Sequence, residues 1–242
     1  MKLINYFPLK KIRNNQEKVL DEIEEAIKSN IKYIFLEAPT GFGKSPIAIT
    51  LASFLGSSHI CTSTKDLQNQ YSRDFNFVKE AKGKRNFPCI LKENEGVHET
   101  CEYGPCQKQE DFDCLYKTRL SDYKINRLGT KFEHIDIGPF EKLKYIKKNN
   151  QQIRLESLEW EPCKYFHQKW ISTKASHAIY NYKYFLSDLY FSNIISKREL
   201  LVFDEVHNIE SEVSDFKSFI INSDNIADCF PSFNYQIERK KK

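Results

Sequence analysis

The sequence predicts an α/β fold in which helices flank a parallel sheet that is interrupted by a cysteine-rich insertion. Three observations support this prediction. Apolar strand patterns alternate with helical patterns over roughly the first third of the chain, which is typical of parallel sheets. Two polar motifs each come directly after an apolar strand pattern. Five of the seven cysteines lie in a middle region that has weak periodicity.

The elements of the first part follow one another in a regular order. Apolar residues recur at helical spacing between charged residues over 14–30, which predicts a helix. Tyr33–Leu36 is a short apolar run, as expected for a buried parallel strand. A glycine loop leads into a predicted helix at 44–56, and a strand at 59–63 and a helix at 65–74 follow. The resulting βαβα pattern implies a parallel sheet covered by helices.

The regular pattern ends near Ala81, and the polar stretch that begins there is interpreted as an insertion. Within it, the run KKNNQQ at 147–152 is expected to be a solvated loop or an exposed helix end. A helix at 169–175 and strands at 178–182 and 200–203 are predicted after it. The predicted organisation is a first part of the sheet domain, an insertion, a second part of the sheet domain, and a tail or truncated start of a further domain, at 1–80, 81–168, 169–215 and 216–242.

Composition and charge exclude some classes of protein. Forty percent of the residues are hydrophobic, which is enough for a packed core, and the formal net charge of +4 does not by itself demand a nucleic-acid partner. No segment has the 18 or so apolar residues of a membrane span, and the N-terminus lacks the apolar core of a signal peptide. We therefore expect a protein of the cytoplasm, or of the nucleus in a eukaryote, with no membrane partner.

The first polar motif is a phosphate-binding loop at Ala38–Ser45, APTGFGKS, with alanine where the first glycine usually stands. Gly41 and Gly43 allow a tight turn that aims backbone N–H groups at phosphate oxygens. The following helix directs the positive end of its dipole at the same anion. The Lys44 ammonium is expected to reach the β and γ phosphates, and the Ser45 hydroxyl to bind Mg²⁺.

The second motif, Asp204-Glu-Val-His207, follows the apolar run Leu200–Phe203. A carboxylate at the end of a strand, here Asp204, can hold Mg²⁺ through its water shell. Glu205 is placed to orient or deprotonate an attacking water. Functional sites of parallel sheets lie at the carboxyl ends of the strands, so we expect both motifs to meet there.

Together, APTGFGKS and DEVH resemble the superfamily 2 helicases of the DEAH type. Arg13-Asn-Asn-Gln16 resembles the adenine-side element of these proteins, and Cys61–Gln70 resembles their motif Ia. Lys82–Cys89, KGKRNFPC, resembles the KGRxNYxC start of an iron–sulfur insertion. The stretch that begins at Cys163 resembles the end of that insertion, CPYY…NYxYL. The chain is thus similar to the XPD/DinG group of iron–sulfur DNA helicases over most of its length.

The resemblance implies a RecA-like lobe whose parallel sheet is interrupted by an iron–sulfur insertion. It implies catalysis by Lys44, Asp204, Glu205 and His207, and Mg²⁺ binding by Ser45 and Asp204. It also implies DNA, single-stranded or forked, as a partner, and a second RecA-like lobe in cis or in trans. The residues that it assigns to ATP binding are Arg13, Gln16, Thr40, Gly41, Gly43, Lys44 and Ser45.

The cysteines in the middle of the chain point to a bound metal. In a chain without an export signal, clustered cysteines favour a metal over disulfides, and thiolates can hold zinc or an iron–sulfur cluster. The spacing C-x11-C-x4-C-x7-C lacks the paired C-x2-C knuckles that are typical of structural zinc. The resemblance implies a [4Fe–4S] cluster. Its four ligands would be Cys89, Cys101, Cys106 and Cys163, and Cys114 is an alternative ligand.

The remaining two cysteines receive a simpler interpretation. Cys61 lies on a predicted strand and is interpreted as a small buried thiol. Cys229 lies in the tail and is interpreted as an ordinary free thiol.

The stretch that resembles motif Ia carries candidate DNA contacts at Thr62, Thr64, Lys65 and Gln70. Hydroxyl, ammonium and amide groups bind a phosphate backbone without reading its sequence. The alternative is an ordinary capped helix, with Thr64 as the N-cap and Lys65 exposed to solvent. The two interpretations are compatible.

The sequence leaves more than one function open. In the family, arginines of a second lobe, in a QxxGRxxR motif, complete the γ-phosphate site, and the residues after His207 contain one arginine, Arg239. An arginine finger can be worth about 10³–10⁵ in rate. We therefore expect the ATP-binding lobe of a DNA helicase, acting at single-stranded/duplex junctions in repair or replication, whose chain alone hydrolyses ATP poorly. The alternatives are a non-motor module that binds ATP or single-stranded DNA or regulates a partner, and a zinc-stapled ATPase.

Overall fold

The central element of the fold is a four-stranded parallel sheet. The computed structural model describes residues 2–13, 15–109, 112–114, 116–128, 132–137, 145–148, 151–154 and 161–218. The sheet has the strand order β2-β7-β1-β8. Its strands are β1 Ser58–Thr62, β2 Lys79–Ala81, β7 His177–Asn181 and β8 Leu200–Phe203. The expected parallel sheet flanked by helices is therefore confirmed.

Strand β1 lies inside the sheet and is buried along its whole length. Ser58 is paired with His177 of β7 on one side and with Leu200 of β8 on the other. Three of its five residues, Ser58, His59 and Thr62, are polar, and their buried side chains have hydrogen-bond partners. The observed strands begin one residue earlier than the predicted 59–63 and 178–182.

Helices pack on both faces of this sheet. The principal α-helices are α1 Gln16–Lys28, α2 Lys44–Leu55, α3 Lys65–Asp74, α6 Lys164–Lys174, α7 Tyr182–Ser187 and α8 Ile209–Lys217. One face packs Ile49 of α2 and Tyr71 of α3 against Ile60 of β1. The other face packs Phe185 of α7 against Cys61 of β1. Cys61 is thus a buried thiol, as expected, while Cys229 lies outside the described residues.

The expected strand Tyr33–Leu36 is wrong. This segment has no strand partner in the described part of the chain, and Tyr33 and Phe35 are 81% and 86% exposed. An apolar run is buried only where a neighbouring element covers it. Among the described residues β8 pairs only with β1, and its outer edge leaves Leu201 and Phe203 exposed. The phosphate loop is therefore reached through an extended, solvent-facing segment.

The region from 81 to 168 contains short helices and two antiparallel hairpins. The short helices are α4 Ile90–Asn94 and α5 Pro105–Lys108. The hairpins pair β3 Tyr123–Leu128 with β4 Phe132–Ile137, and β5 Tyr145–Lys148 with β6 Gln151–Arg154. The expectation of a loop or helix end at KKNNQQ is wrong for 147–148 and 151–152, which lie in strands. The polarity of the side chains does not distinguish an exposed hairpin from a loop, because the hydrogen bonds between the two strands are made by the backbone.

The insertion is joined to the sheet by two reciprocal hydrogen bonds. The backbone N–H of Lys82, just after β2, donates to Gln168 Oε1 at 2.9 Å, and Gln168 Nε2 donates to the Lys82 carbonyl at 3.0 Å. Gln168 lies within α6, which begins at Lys164 rather than at the predicted 169. The expected division at 168 therefore falls inside a helix. In the part of the chain that the structure describes, no helix is long and apolar enough to span a membrane.

We predict that Gln68→Ala destabilises the fold. Gln68 is fully buried on α3, and its Nε2 donates to the carbonyls of Ala81, at 2.8 Å, and Ile179, at 3.1 Å, on neighbouring strands. The substitution leaves two buried carbonyls without this donor, so the free energy of unfolding should fall by about 1–3 kcal/mol in a urea titration. Gln70→Ala, on the exposed side of the same helix, is the control. Equal losses in the two variants would contradict this role.

Candidate functional site

The phosphate loop has the backbone geometry that its glycines predict. Gly41 and Gly43 have φ values of +81° and +95°, in the left-handed region that favours glycine. A Cβ on Gly43 would also collide with the side-chain amide of Gln16. Gly43 is the N-cap residue of α2, which begins at Lys44. The first N–H groups of α2 therefore lie where the loop ends, as an anion site requires.

Arg13 and Gln16 contact the backbone of this loop. The Arg13 guanidinium donates from Nη1 to the carbonyl oxygen of Gly41. Gln16 Nε2 donates to the Phe42 carbonyl at 2.8 Å, and Gln16 Oε1 accepts from the Arg13 N–H at 2.8 Å. Both side chains thus brace the loop from the α1 side. Their expected contact with adenine stays a prediction.

Lys44 links the two sequence motifs. Its Nζ donates to the Ala38 carbonyl at 3.1 Å and lies 4.0 Å from Glu205 Oε1. The side chains of Lys44 and Glu205 are both about one third exposed, so this ion pair is screened by solvent and contributes little stability of its own. The distance shows instead that the Lys44 ammonium and the Glu205 carboxylate face the same space.

Asp204 is fixed at the carboxyl end of β8 by three hydrogen bonds. Its N–H donates to the Cys61 carbonyl at 2.8 Å, and its own carbonyl accepts from the Tyr182 hydroxyl at 2.9 Å. Its Oδ2 accepts from the Tyr71 hydroxyl at 3.0 Å. Burial raises the pKa of Asp204 above its usual value, and the bond from Tyr71 opposes this increase. A cation at this site would favour the charged carboxylate.

Glu205 and His207 follow on a tight turn. Glu205 has a φ of +58°, a left-handed conformation that is uncommon for a residue other than glycine or asparagine. Its Oε2 lies 3.4 Å from Nδ1 of His207, whose side chain is 71% exposed. The turn therefore points Glu205 toward Lys44 while leaving His207 at the surface. Such strain is often retained where a side chain must be aimed at a site.

The structure brings the expected phosphate and metal residues together. Ser45, the second residue of α2, lies near the Tyr71 phenol, the same group that donates to Asp204 Oδ2. Lys44, Ser45, Asp204 and Glu205 therefore surround one space at the carboxyl end of the sheet. An ammonium, a helix N-terminus, a hydroxyl and two carboxylates can together hold a phosphate chain and a divalent cation and orient a water.

The cysteines of the insertion converge on one cavity. Three of them, Cys89, Cys101 and Cys163, are buried, and Cys106 and Cys114 are half-buried. All five line the cavity, beside aromatic side chains that include Tyr165 and Phe166. Cys101 Sγ and Cys163 Sγ are 3.7 Å apart.

Local hydrogen bonds favour the thiolate form of Cys163. Cys163 precedes α6, and hydrogen bonds from Cys101 and from the N–H groups of Phe166 and Tyr165 lower the pKa of Cys163. The same pairing raises the pKa of Cys101. A helix N-terminus commonly favours thiolate in this way. Close packing also explains why position 104 is a glycine, because a Cβ there would lie 3.1 Å from Cys89 Sγ.

The donor set fits a metal centre by its chemistry. Five thiols in an apolar cavity could hold zinc or an iron–sulfur cluster. Among the described residues, however, no three His, Cys, Asp or Glu side chains are grouped closely enough to define a metal-ion site. The geometry alone therefore does not identify which metal group these thiols would take.

The surface that resembles motif Ia needs one correction. Thr62 is fully buried, and its hydroxyl bonds to the carbonyls of Thr64 and Tyr180. It cannot reach a phosphate backbone, because it belongs to the buried strand β1. Thr64 is the N-cap of α3 and accepts from the Leu67 N–H at 3.3 Å, as the alternative interpretation expected. Thr64, Lys65 and Gln70 are exposed and remain candidates for DNA contact.

Sequence reasoning missed the buried polar residues that hold the site. Gln68 and Tyr71 lie on the buried face of α3, and Tyr182 begins α7. The spacing of Gln68, Tyr71 and Phe75, at i, i+3 and i+7, corresponds to one face of a helix, which is a signal that could have indicated them. Their partners, however, are backbone carbonyls and a carboxylate from distant strands, and no sequence pattern names these partners.

Comparisons with known proteins agree with this geometry. A protein of Methanocaldococcus jannaschii named as a probable ATP-dependent helicase is 26% identical over 230 residues, which is 89% of this chain but 31% of the relative. The chain thus spans about a third of that relative's length. No solved structure matches the chain significantly. The sequence profile of the DEAD_2 family matches residues 77–226. Because this match covers more than half of the chain, the protein belongs to the DEAD_2 family.

Proposed function

We propose that this chain is the ATP-binding motor lobe of an ATP-dependent DNA helicase that carries an iron–sulfur cluster. The observation that carries the proposal is the 4.0 Å approach of Lys44 Nζ to Glu205 Oε1. Two motifs far apart in the sequence meet at one end of a parallel sheet, where such sheets place their ligands. Membership of the DEAD_2 family and the name of the archaeal relative support the proposal.

Each residue of the site has a distinct role in this proposal. The Lys44 ammonium and the N–H groups at the start of α2 hold the β and γ phosphates. Ser45 and Asp204 hold Mg²⁺, which neutralises charge on the phosphates. Glu205 orients the attacking water, since its carboxylate faces the same space as Lys44. Arg13, Gln16 and Thr40 complete the nucleotide site on the side of the loop.

In this proposal, motor activity requires a second lobe in addition to this one. His207 is exposed beside Glu205, where it can contact a second RecA-like lobe in cis or in trans. That lobe supplies the arginines that stabilise charge on the γ phosphate, a contribution of about 10³–10⁵ in rate. The chain alone would therefore bind nucleotide and hydrolyse it slowly.

The proposed DNA-binding surface includes the start of α3. Thr64 and Lys65 are exposed at the same end of the sheet as the nucleotide site, because α3 follows the carboxyl end of β1, and Gln70 is exposed further along α3. Such groups bind phosphate oxygens without base specificity. The partner class is single-stranded or forked DNA, with a role in repair or replication.

The cysteine cavity is assigned to a [4Fe–4S] cluster. Cys89, Cys101, Cys106 and Cys163 are the proposed ligands, with Cys114 as the alternate, since all five line the same cavity. One observation favours zinc as a second candidate. Two thiolates on a tetrahedral zinc, at about 2.3 Å each, lie about 3.8 Å apart, close to the 3.7 Å between Cys101 Sγ and Cys163 Sγ.

We predict that Lys44→Ala separates nucleotide binding from DNA binding. Loss of a charged hydrogen-bond donor to phosphate should weaken binding of a fluorescent ATP analogue, with Mg²⁺ present, by about 10–100-fold. Binding of single-stranded DNA without nucleotide, measured by anisotropy, should stay within about twofold, because Lys44 lies at the ATP site. Lys65→Ala should show the opposite pattern.

Two outcomes would contradict this assignment. If wild-type protein fails to bind the ATP analogue, the site is not a nucleotide site. If Lys44→Ala and Lys65→Ala weaken both ligands equally, the chain has one undivided anion-binding surface, and the helicase assignment fails with it. Retention of both activities with no stimulation by any second lobe would favour the non-motor module.

We predict that Gly104→Ala impairs retention of the metal group. The added Cβ would lie 3.1 Å from Cys89 Sγ and displace that thiol, whereas in Gly83→Ala the nearest atom is at 4.0 Å. Protein purified without oxygen should contain about four iron atoms and four acid-labile sulfides per chain. Gly104→Ala should lose most of this content and Gly83→Ala should keep it. Stoichiometric zinc without iron would contradict the cluster and support the zinc-stapled ATPase.

A further inference from the structure

One buried tyrosine contacts both residues that are assigned to the divalent cation. The Tyr71 hydroxyl donates to Asp204 Oδ2 at 3.0 Å, and the Ser45 side chain lies near the same hydroxyl. Tyr71 is 1% exposed, so this phenol is shielded from bulk solvent. The phenol therefore lies between the start of α2 and the end of β8.

The position of this phenol is fixed by the packing of its ring. Tyr71 lies in the core cluster with Ile49 of α2, Ile60 of β1 and Ile179 of β7. One turn earlier on α3, Gln68 binds backbone carbonyls of two strands, which fixes the helix against the sheet. A ring held on several sides has little rotational freedom, so its hydroxyl is held at a defined place.

Asp204 is constrained from more than one direction. Its carboxylate accepts from the Tyr71 hydroxyl, its N–H donates to the Cys61 carbonyl, and its backbone carbonyl accepts from Tyr182. A buried carboxylate on a fixed backbone has little freedom to find a cation by rotation. Its orientation before the ligand arrives therefore depends on its donor, the Tyr71 hydroxyl.

We propose that Tyr71 is a positioning residue that orients the Asp204 carboxylate and the Ser45 hydroxyl toward the divalent cation of the bound nucleotide. This inference rests on the proposed function of the site. Tyr71 itself touches neither phosphate nor cation in this assignment. It acts through the two ligands, as hydrogen-bonded partners of metal ligands do in other proteins.

A purely structural role makes a different prediction. If Tyr71 only fills the core, its ring matters and its hydroxyl does not. Tyr71→Phe keeps the ring and removes the oxygen, so it separates the two roles. Tyr180→Phe is the matched control, because Tyr180 is equally buried and its hydroxyl has no hydrogen-bond partner among the described residues.

The experiment measures how much Mg²⁺ the protein needs to bind a fluorescent ADP. At fixed nucleotide concentration, Mg²⁺ is titrated against wild-type protein, Tyr71→Phe and Tyr180→Phe. Tyr71→Phe should raise the half-saturating Mg²⁺ concentration by about tenfold, the size of effect seen when a partner of a metal ligand is lost. Nucleotide binding at saturating Mg²⁺ should recover to the wild-type value. Tyr180→Phe should match wild-type throughout.

A second variant keeps the result interpretable. Ser45→Ala removes one proposed ligand, and Tyr71→Phe added to it should raise the Mg²⁺ requirement by less than it does alone, because both substitutions affect one hydrogen-bonded unit. Binding of Mn²⁺ in the presence of ADP, followed by electron paramagnetic resonance, reports the same effect without catalysis.

The outcomes separate this inference from the function on which it rests. If wild-type protein shows no Mg²⁺-dependent nucleotide binding, the proposed function is wrong and this inference falls with it. If wild-type protein binds with Mg²⁺ and Tyr71→Phe has the same Mg²⁺ requirement, only the positioning role is overturned. Equal shifts in Tyr71→Phe and Tyr180→Phe would also overturn it, since they would reflect general loosening of the core.

Discussion

The parallel pairing of β1 with β7 and β8 is the interaction on which the rest of the structure depends. It places the carboxyl ends of β1 and β8 side by side, and the Asp204 N–H continues the ladder by donating to the Cys61 carbonyl at 2.8 Å. The acidic motif that follows β8 and helix α3 that follows β1 therefore emerge at one edge. Neither motif could meet the phosphate loop without this shared direction.

Helix α3 connects three parts of the molecule. Its exposed start carries Thr64 and Lys65, its buried Gln68 binds the backbone of two strands, and Tyr71 reaches the side chain of Asp204. One helix thus carries part of the surface proposed for DNA and a side chain that contacts a proposed Mg²⁺ ligand. The cysteine cavity is joined to the same sheet through the paired bonds between Lys82 and Gln168. The three sites proposed for nucleotide, nucleic acid and a metal group would therefore share one sheet.

The sequence predicted the features that a local pattern determines. The turn at Gly41 and Gly43 needs positive φ, which glycine adopts readily, so this turn was visible in the residues. The features that it did not predict depend on partners distant in sequence. Tyr33–Leu36 has the composition of a buried strand, but no described strand lies beside it. Thr62 has the chemistry of a phosphate contact, but its strand lies inside the sheet. The partners of Tyr71 likewise come from other elements.

The central claim is that the two motifs form one site for a nucleotide with a divalent cation. Calorimetric titration of the unmodified chain with ATP, in the presence and absence of Mg²⁺, tests it most directly. We expect saturable binding of one nucleotide per chain that weakens strongly when Mg²⁺ is withheld, because Asp204 and Glu205 would then face the phosphates with no cation between them. Absence of saturable binding in both conditions, or binding that is indifferent to Mg²⁺, would contradict it.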